Sequence, residues 1–295
     1  MEKKIYNLLY NCYANSLEGN FGKLNYQLFV MSLRSMIPYE NKLGCEFNTM
    51  RYKHEIETLK YYVNGQDTVV ENILKGNNPC TAEDKLIQYK IIPIIISNTQ
   101  WETVINQVLN CAVYFTYSKN TILNALVLSS IIFDYMNNNT INLDSIYEIT
   151  KKRIIDFSIK SFYKDNFNIV VKSNYIINFE KERISYLIKN NINDMCDESI
   201  LDLVNLILDG TVIKSSISQE NDLLIKNFSI YLLKLRKGIL DPTKLKFNVN
   251  EAIKLDRYLK NDHFKHPILG KCSVINRDGN ELIMKTKTGN IKVKL

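Results

Sequence analysis

The chain has 295 residues, of which 45% are hydrophobic and 23% are charged, and its formal net charge is +7. This length allows one large domain or two ordinary ones, and the near-average composition excludes a disordered or fibrous protein. The basic charge fits two interpretations, a solvated lysine surface or a dedicated face for nucleic acid or a membrane.

The cysteines and the apolar stretches predict the cellular compartment of the protein. No C-x-x-C pair is present, and the six cysteines are dispersed at Cys12, Cys45, Cys80, Cys111, Cys196 and Cys272. This spacing predicts reduced thiols in a cytoplasmic protein, without a disulfide framework or a zinc site. Asparagines interrupt the apolar N-terminal run, so a signal peptide is not expected. The apolar segment 121–136 is too short for a comfortable membrane span, so we expect no membrane partner.

Hydrophobic residues recur at helical spacing through the first 260 residues. Segment 121–136 is apolar almost all round, which is typical of a helix at the centre of a bundle. Asp67 or Thr68 is expected to cap a short helix. Thr81 and Asp84 predict the start of the helix that enters the run IIPIII. Pro93 is expected either to kink this helix or to divide it into two short ones. About twelve residues after Pro38 are predicted as irregular, and 158–178 as a loop. The other predicted helices are 3–16, 26–36, 52–63, 101–117, 142–157, 179–192, 197–208, 219–237 and 250–260.

The pattern changes to strict alternation near the C-terminus. Apolar residues alternate with polar ones, and turn signals lie at 277–280 and 288–290; the alternating set is Cys272, Val274, Leu282, Met284, Ile291 and Val293. This pattern predicts three or four short antiparallel strands. We therefore expect a mainly α protein, with a single orthogonal or irregular helical bundle domain at 1–261 and a small antiparallel β-module at 262–295.

The residues themselves predict no catalytic set and no metal site. The three histidines lack a third ligand at metal spacing, and the paired carboxylates lie on lysine-containing helical faces. Basic residues surround the apolar core of the β-module, and its candidate surface for nucleic acid or a protein partner consists of Lys265, His266, Lys271 and Arg277. The alternative is a β cap that only closes the helical domain.

Four segments of residues 3–136 follow one another in an order that resembles the ADP-ribosylglycohydrolase family. They are a first helix ending in the glycine-containing turn Leu17–Gly22, the run IIPIII, an amphipathic helix ending in YFTYSKN, and the apolar helix NALVLSSIIFDYM. The resemblance implies an all-α fold and, in active members, two magnesium ions that assist cleavage of ADP-ribose from modified side chains or related substrates. The segment from His266 also resembles small SH3- or Tudor-like barrels.

The positions that match the family's metal-binding motifs have lost most of their carboxylates. They read Glu18-Gly19-Asn20 and Gly65-Gln66-Asp67-Thr68, and the late Asp-x-Asp-Thr run has no counterpart. The resemblance thus implies a degenerate relative without catalytic residues or metal, which binds ADP-ribose, a related nucleotide or a modified protein through Glu18, Asn20, Asp67 and Thr68. A magnesium-dependent hydrolase with relocated carboxylates is one alternative. A helical scaffold whose basic β-module binds nucleic acid or a protein is another.

Overall fold

A computed structural model describes residues 1–19, 21–138, 142–213, 217–245, 254–279 and 281–294. These residues form twelve α-helices and a C-terminal sheet of four antiparallel strands, which confirms the predicted mainly α fold with a small β-module. The helices are α1 Glu2–Tyr13, α2 Leu24–Arg34, α3 Thr49–Leu59, α4 Thr68–Leu74, α5 Ile87–Ser97, α6 Trp101–Phe115, α7 Lys119–Asn137, α8 Leu143–Asp156, α9 Ile159–Phe167, α10 Ser173–Leu187, α11 Glu198–Leu208 and α12 Gln219–Arg236. The strands are β1 Met36–Pro38, β2 Cys45–Phe47, β3 His263–His266, β4 Gly270–Asp278, β5 Glu281–Thr286 and β6 Gly289–Lys294.

Helix α7 lies at the centre of the bundle, as its all-round apolar pattern predicts. It contacts α5, α6, α8, α10 and α11, and nearly all of its side chains are buried. Two of its buried polar groups are paired, whereas the buried hydroxyl of Ser129 has no hydrogen-bond partner among the described residues. The hydroxyls of Ser130 and Thr150 are hydrogen-bonded at 2.8 Å, and Asp134 forms a 2.9 Å ion pair with Arg153. Pairing of this kind removes the penalty for burying polar groups in an apolar core.

Helix α5 continues through Pro93 instead of dividing there. Proline has no N–H, so the carbonyl of Tyr89, one turn earlier, loses its usual helical partner. The hydroxyl of Tyr13 in α1 donates to this carbonyl at 3.1 Å. A side chain from another helix therefore replaces the missing backbone bond.

Three local predictions are wrong. The segment 158–178 is not a loop, since it contains α9 and the start of α10, and Ser158 caps α9 by accepting a hydrogen bond from the backbone N–H of Ser161. The helix expected from Thr81 begins only at Ile87. The irregular residues after Pro38 include β2, which pairs with β1. The helix expected at 250–260 falls partly outside the described residues, and 255–257 form a 3-10 turn.

The C-terminal sheet has the strand order β3-β4-β5-β6, with a bulge between Val274 and Asn276. Its inner face carries the buried side chains Cys272, Leu282, Met284, Ile291 and Val293, which belong to the same apolar core as the helices. The hydroxyl of Tyr26 in α2 donates to the carbonyl of Thr288 at 2.9 Å, and the Lys294 N–H donates to the carbonyl of Tyr61 at 3.0 Å. The sheet thus covers α2 and the segment after α3.

Among the described helices, none is both long and apolar enough to cross a bilayer.

Burial should make most of the thiols unreactive in the folded protein. All six cysteines are free, and burial raises the pKa of Cys45 and of Cys111 to about 12. Because the thiolate is the reactive form, very little of either thiol is reactive at pH 8. We expect a thiol reagent at pH 8 to leave Cys45 and Cys111 unmodified in the native protein and to modify both in denaturant, as followed by mass spectrometry of peptides. Native labelling of either residue as fast as that of the half-buried Cys80 would contradict this.

Candidate functional site

A cleft of about 560 Å³ lies where β5 and β6 meet α2, α4 and the segment between α3 and α4. This volume is within the range of small-molecule binding sites in proteins. The walls combine aromatic, amide and charged side chains, and include Phe21, Gln27, Tyr62, Asn64, Gln66, Asp67, Glu71, Glu281, Lys292 and Lys294. The cleft therefore joins residues from the helical bundle with residues of the β-module.

Hydrogen bonds from α2 hold one wall in place. Gln27 donates from Nε2 to the carbonyl of Tyr62 at 2.9 Å and accepts at Oε1 from the Asn64 N–H at 3.0 Å. The Leu24 N–H donates to the carbonyl of Asn64 at 2.7 Å. Gly65 has a φ of +142°, and a Cβ there would lie 2.8 Å from the Cβ of Leu24, so only glycine fits this close approach.

Asp67 lies at the start of α4 and serves as its N-cap. Its Oδ1 accepts a hydrogen bond from the Val70 N–H at 2.8 Å, which satisfies one of the free N–H groups at the helix start. Its second oxygen, Oδ2, has no hydrogen-bond partner among the described residues. The carboxylate of Asp67 thus retains an acceptor for a ligand in the cleft.

The opposite wall supplies positive charge. Lys292 in β6 forms a 2.6 Å ion pair with Glu281 in β5, and the two side chains are 42% and 45% exposed. Lys294 is exposed, while its backbone N–H holds the strand to Tyr61. Exposed pairs of this kind are weak and exchange readily. Both ammonium groups are therefore available to an anionic ligand.

Tyr62 brings a neutral phenol to the cleft. Burial raises its pKa well above the ordinary value, and the nearby Arg34 guanidinium acts in the opposite direction. The hydroxyl is consequently protonated at neutral pH, and the ring offers an apolar surface rather than a charge.

Of the four predicted ligand-binding residues, the structure places Asp67 in the cleft wall. Glu18 and Thr68 are exposed and are not part of that wall. Asn20 lies outside the described residues, but its neighbour Phe21 lines the cleft. Phe21, which follows the turn after α1, and Asp67 at the start of α4 thus line the same cleft.

The cleft does not fit a two-magnesium centre. Such a centre needs several carboxylates that converge on the metals. The acidic residues of the cleft wall are Asp67 and Glu71 at α4 and Glu281 in β5. The part of the chain that the structure describes contains no group of three or more histidine, cysteine or acidic residues able to hold a metal ion.

Two of the four residues predicted as a partner surface are engaged within the protein. His266 is not on the surface but fully buried; its Nδ1 accepts hydrogen bonds from the N–H groups of Ile268 and Leu269 at 3.1 and 3.2 Å, which fixes the turn after β3. Arg277 is exposed, but it donates to the carbonyl of Leu259 at 2.8 Å and pairs with Asp262.

The other two predicted partner-surface residues, Lys265 and Lys271, are exposed.

A buried charge cluster fixes the sheet beside the cleft. Glu55 in α3 is fully buried and contacts Arg34 at 3.4 Å and Arg51 at 3.1 Å. Arg34 also donates to the hydroxyl of Thr288 at 2.6 Å, and Arg51 lies 3.4 Å from the carbonyl of Ile268. Burial raises the pKa of Glu55, and the two arginines oppose that rise. The cluster links α2, α3 and the β-module.

Compared with known proteins, the chain matches no family model, and no curated protein shows significant similarity to it.

Proposed function

We propose that the protein binds an ADP-ribose-type nucleotide, free or attached to a modified protein, in the cleft between α2, α4 and the sheet. The observation that carries the proposal is the cleft of about 560 Å³ that combines Asp67 with Lys292 and Lys294. The resemblance of residues 3–136 to ADP-ribosylglycohydrolases supplies the ligand class. The volume of the cleft and its mixed charge agree with a ligand that carries both phosphates and hydroxyl groups.

Each wall has a distinct role in this proposal. Lys292 and Lys294 pair with the diphosphate, since hydrogen bonds between ionised groups are the strong ones. The carboxylate of Asp67 accepts from ribose hydroxyls. Phe21 supplies the apolar surface against which the base packs.

In this proposal the protein binds the nucleotide and is not a magnesium-dependent hydrolase. The described residues contain no group of three or more acidic, histidine or cysteine side chains that could hold a metal ion. Binding without turnover requires only the positioned donors and acceptors. The six free thiols agree with a reducing compartment such as the cytoplasm.

Calorimetric titration with ADP-ribose tests the proposal through two matched variants. Lys294→Gln keeps the backbone bond to Tyr61 and removes the charge, while Asp67→Asn keeps an N-cap and removes a carboxylate. Each is expected to weaken binding about tenfold or more, because a hydrogen bond to a charged group contributes about 1.5–3 kcal/mol.

The control is Lys160→Gln, an exposed position on α9 away from the cleft, which should bind like the wild type. Equal affinity in all four proteins, or no heat at millimolar ADP-ribose, would exclude the cleft as the site.

A further inference from the structure

The outer face of the C-terminal sheet, opposite the buried side chains of β4, β5 and β6, is rich in lysine at one end. Because side chains alternate along a strand, the neighbours of the buried Cys272 and Met284 point outward. Lys265, Lys271 and Lys285 are exposed on this face, and Lys287 is exposed in the turn that follows β5. We refer to these four residues as the lysine face. None of them lines the nucleotide cleft.

Strand register places two of these charges directly against each other. Lys265 in β3 is opposite Lys271 in β4, and Lys285 in β5 is opposite Ser273, the next outward residue of β4. Like charges in directly opposed positions destabilise a strand pair. Neither Lys265 nor Lys271 forms an ion pair with any residue that the structure describes. The protein thus keeps an unfavourable arrangement that an anion would relieve.

The remaining contact on the lysine face is weak. Lys285 lies 3.2 Å from Glu220 of α12, but the two side chains are 60% and 75% exposed. Exposed ion pairs contribute little and are screened by salt. Lys285 is therefore free to exchange this carboxylate for a phosphate.

The composition of the face indicates which anionic partner it fits. Protein interfaces usually contain apolar or aromatic anchors at their centre. The positions between these lysines hold His263 and Ser273, and the exposed Ile275 lies beyond them at the bulge of β4. Base recognition by stacking would need exposed aromatic rings. Four ammonium groups with no apolar side chain and no phenylalanine, tyrosine or tryptophan ring between them match the phosphate backbone, which proteins bind without reading the sequence.

We propose that the lysine face binds the phosphate backbone of a nucleic acid without sequence preference. The contact is electrostatic and uses none of the lysines that line the nucleotide cleft, so a variant of the lysine face tests it without changing a cleft residue. About four phosphate contacts would give a slope of log K against log salt between about −2.8 and −3.6, for single and double strands respectively.

The test uses fluorescence anisotropy of labelled single- and double-stranded oligonucleotides between about 50 and 200 mM salt, where binding to the phosphate backbone weakens steeply. The variant Lys265→Glu turns the repulsive pair with Lys271 into an attractive one, so the fold should be as stable as the wild type or more stable. The expected result is weaker binding to every sequence and a salt slope reduced by about 1 to 2, because the new glutamate also engages Lys271.

The control Lys160→Glu makes the same change in net charge on α9 and should retain the wild-type slope. If both variants lost the same amount of affinity, only the net charge of the protein would matter, and the proposal that the lysine face binds nucleic acid would be wrong. Absence of oligonucleotide binding by the wild type at low salt would also overturn it. Tighter binding of polyglutamate than of an oligonucleotide of equal charge would exclude nucleic acid as the partner.

Discussion

Replacing Glu55 by glutamine is expected to lower the free energy of unfolding by about 3–5 kcal/mol, the usual cost of breaking a buried ion pair. Glu55 is fully buried and is the shared counter-charge of Arg34 and Arg51. Glutamine has nearly the same shape, so the loss would come from two guanidinium groups left without their carboxylate. Urea unfolding followed by circular dichroism measures the change.

Glu57→Gln is the matched control, because it lies on the same helix with a side chain that is 43% exposed. We expect it to change stability by no more than about 0.5 kcal/mol, as is usual for surface substitutions. If the two variants were equally stable, the cluster would not be what holds the sheet to α2 and α3.

Lys90→Met is the second substitution with a large expected effect, again about 3–5 kcal/mol. The Lys90 ammonium in α5 lies 2.5 Å from the Asp84 carboxylate, both side chains are fully buried, and the ring of Phe115 is 3.7 Å from the nitrogen. Methionine fills much of the same space, but it leaves the carboxylate of Asp84 in the interior without a counter-charge.

The double variant Lys90→Met/Asp84→Asn separates charge from packing. Asparagine can still accept the hydrogen bond that Asp84 Oδ1 receives from the Leu86 N–H. We therefore expect the double variant to be more stable than Lys90→Met alone, and a double-mutant cycle in urea measures the coupling. Additive losses would mean that the two side chains contribute independently.

The parts of the fold that follow from local periodicity could be predicted from the sequence. The all-round apolar pattern of 121–136 indicated the central helix α7, and the alternation after Cys272 indicated the sheet. The predictions that failed depend on distant contacts. The Thr81–Asp84 pattern predicts a helix start, but the carboxylate of Asp84 pairs with Lys90. Of the two outcomes expected at Pro93, division of the helix does not occur, and a hydroxyl from α1 donates to the carbonyl that the proline leaves without a donor.

The segment 158–178 shows a second limit of predicting helices from the sequence pattern. Its mixture of aromatic, β-branched and asparagine residues has no clear period, yet Phe162 and Tyr163 pack in the core and stabilise α9. Helix formation there depends on tertiary packing more than on intrinsic propensity.

The candidate site was predictable only on its helical side. Asp67 could be found from the family pattern and from its position before a short helix. Lys292 and Lys294 reach the same cleft from the end of the chain, and no local spacing relates them to Asp67. His266 looked like a surface residue among lysines, although its ring accepts two backbone hydrogen bonds in the interior.

A thermal-shift titration with ADP-ribose, in magnesium and in chelator, tests the central claim most directly. A ligand that binds only the folded state raises the unfolding midpoint as its concentration exceeds the dissociation constant. The proposed function predicts a concentration-dependent rise that is the same with magnesium and with chelator. No rise at millimolar ADP-ribose would contradict nucleotide binding, and a rise that requires magnesium would contradict the metal-independent cleft.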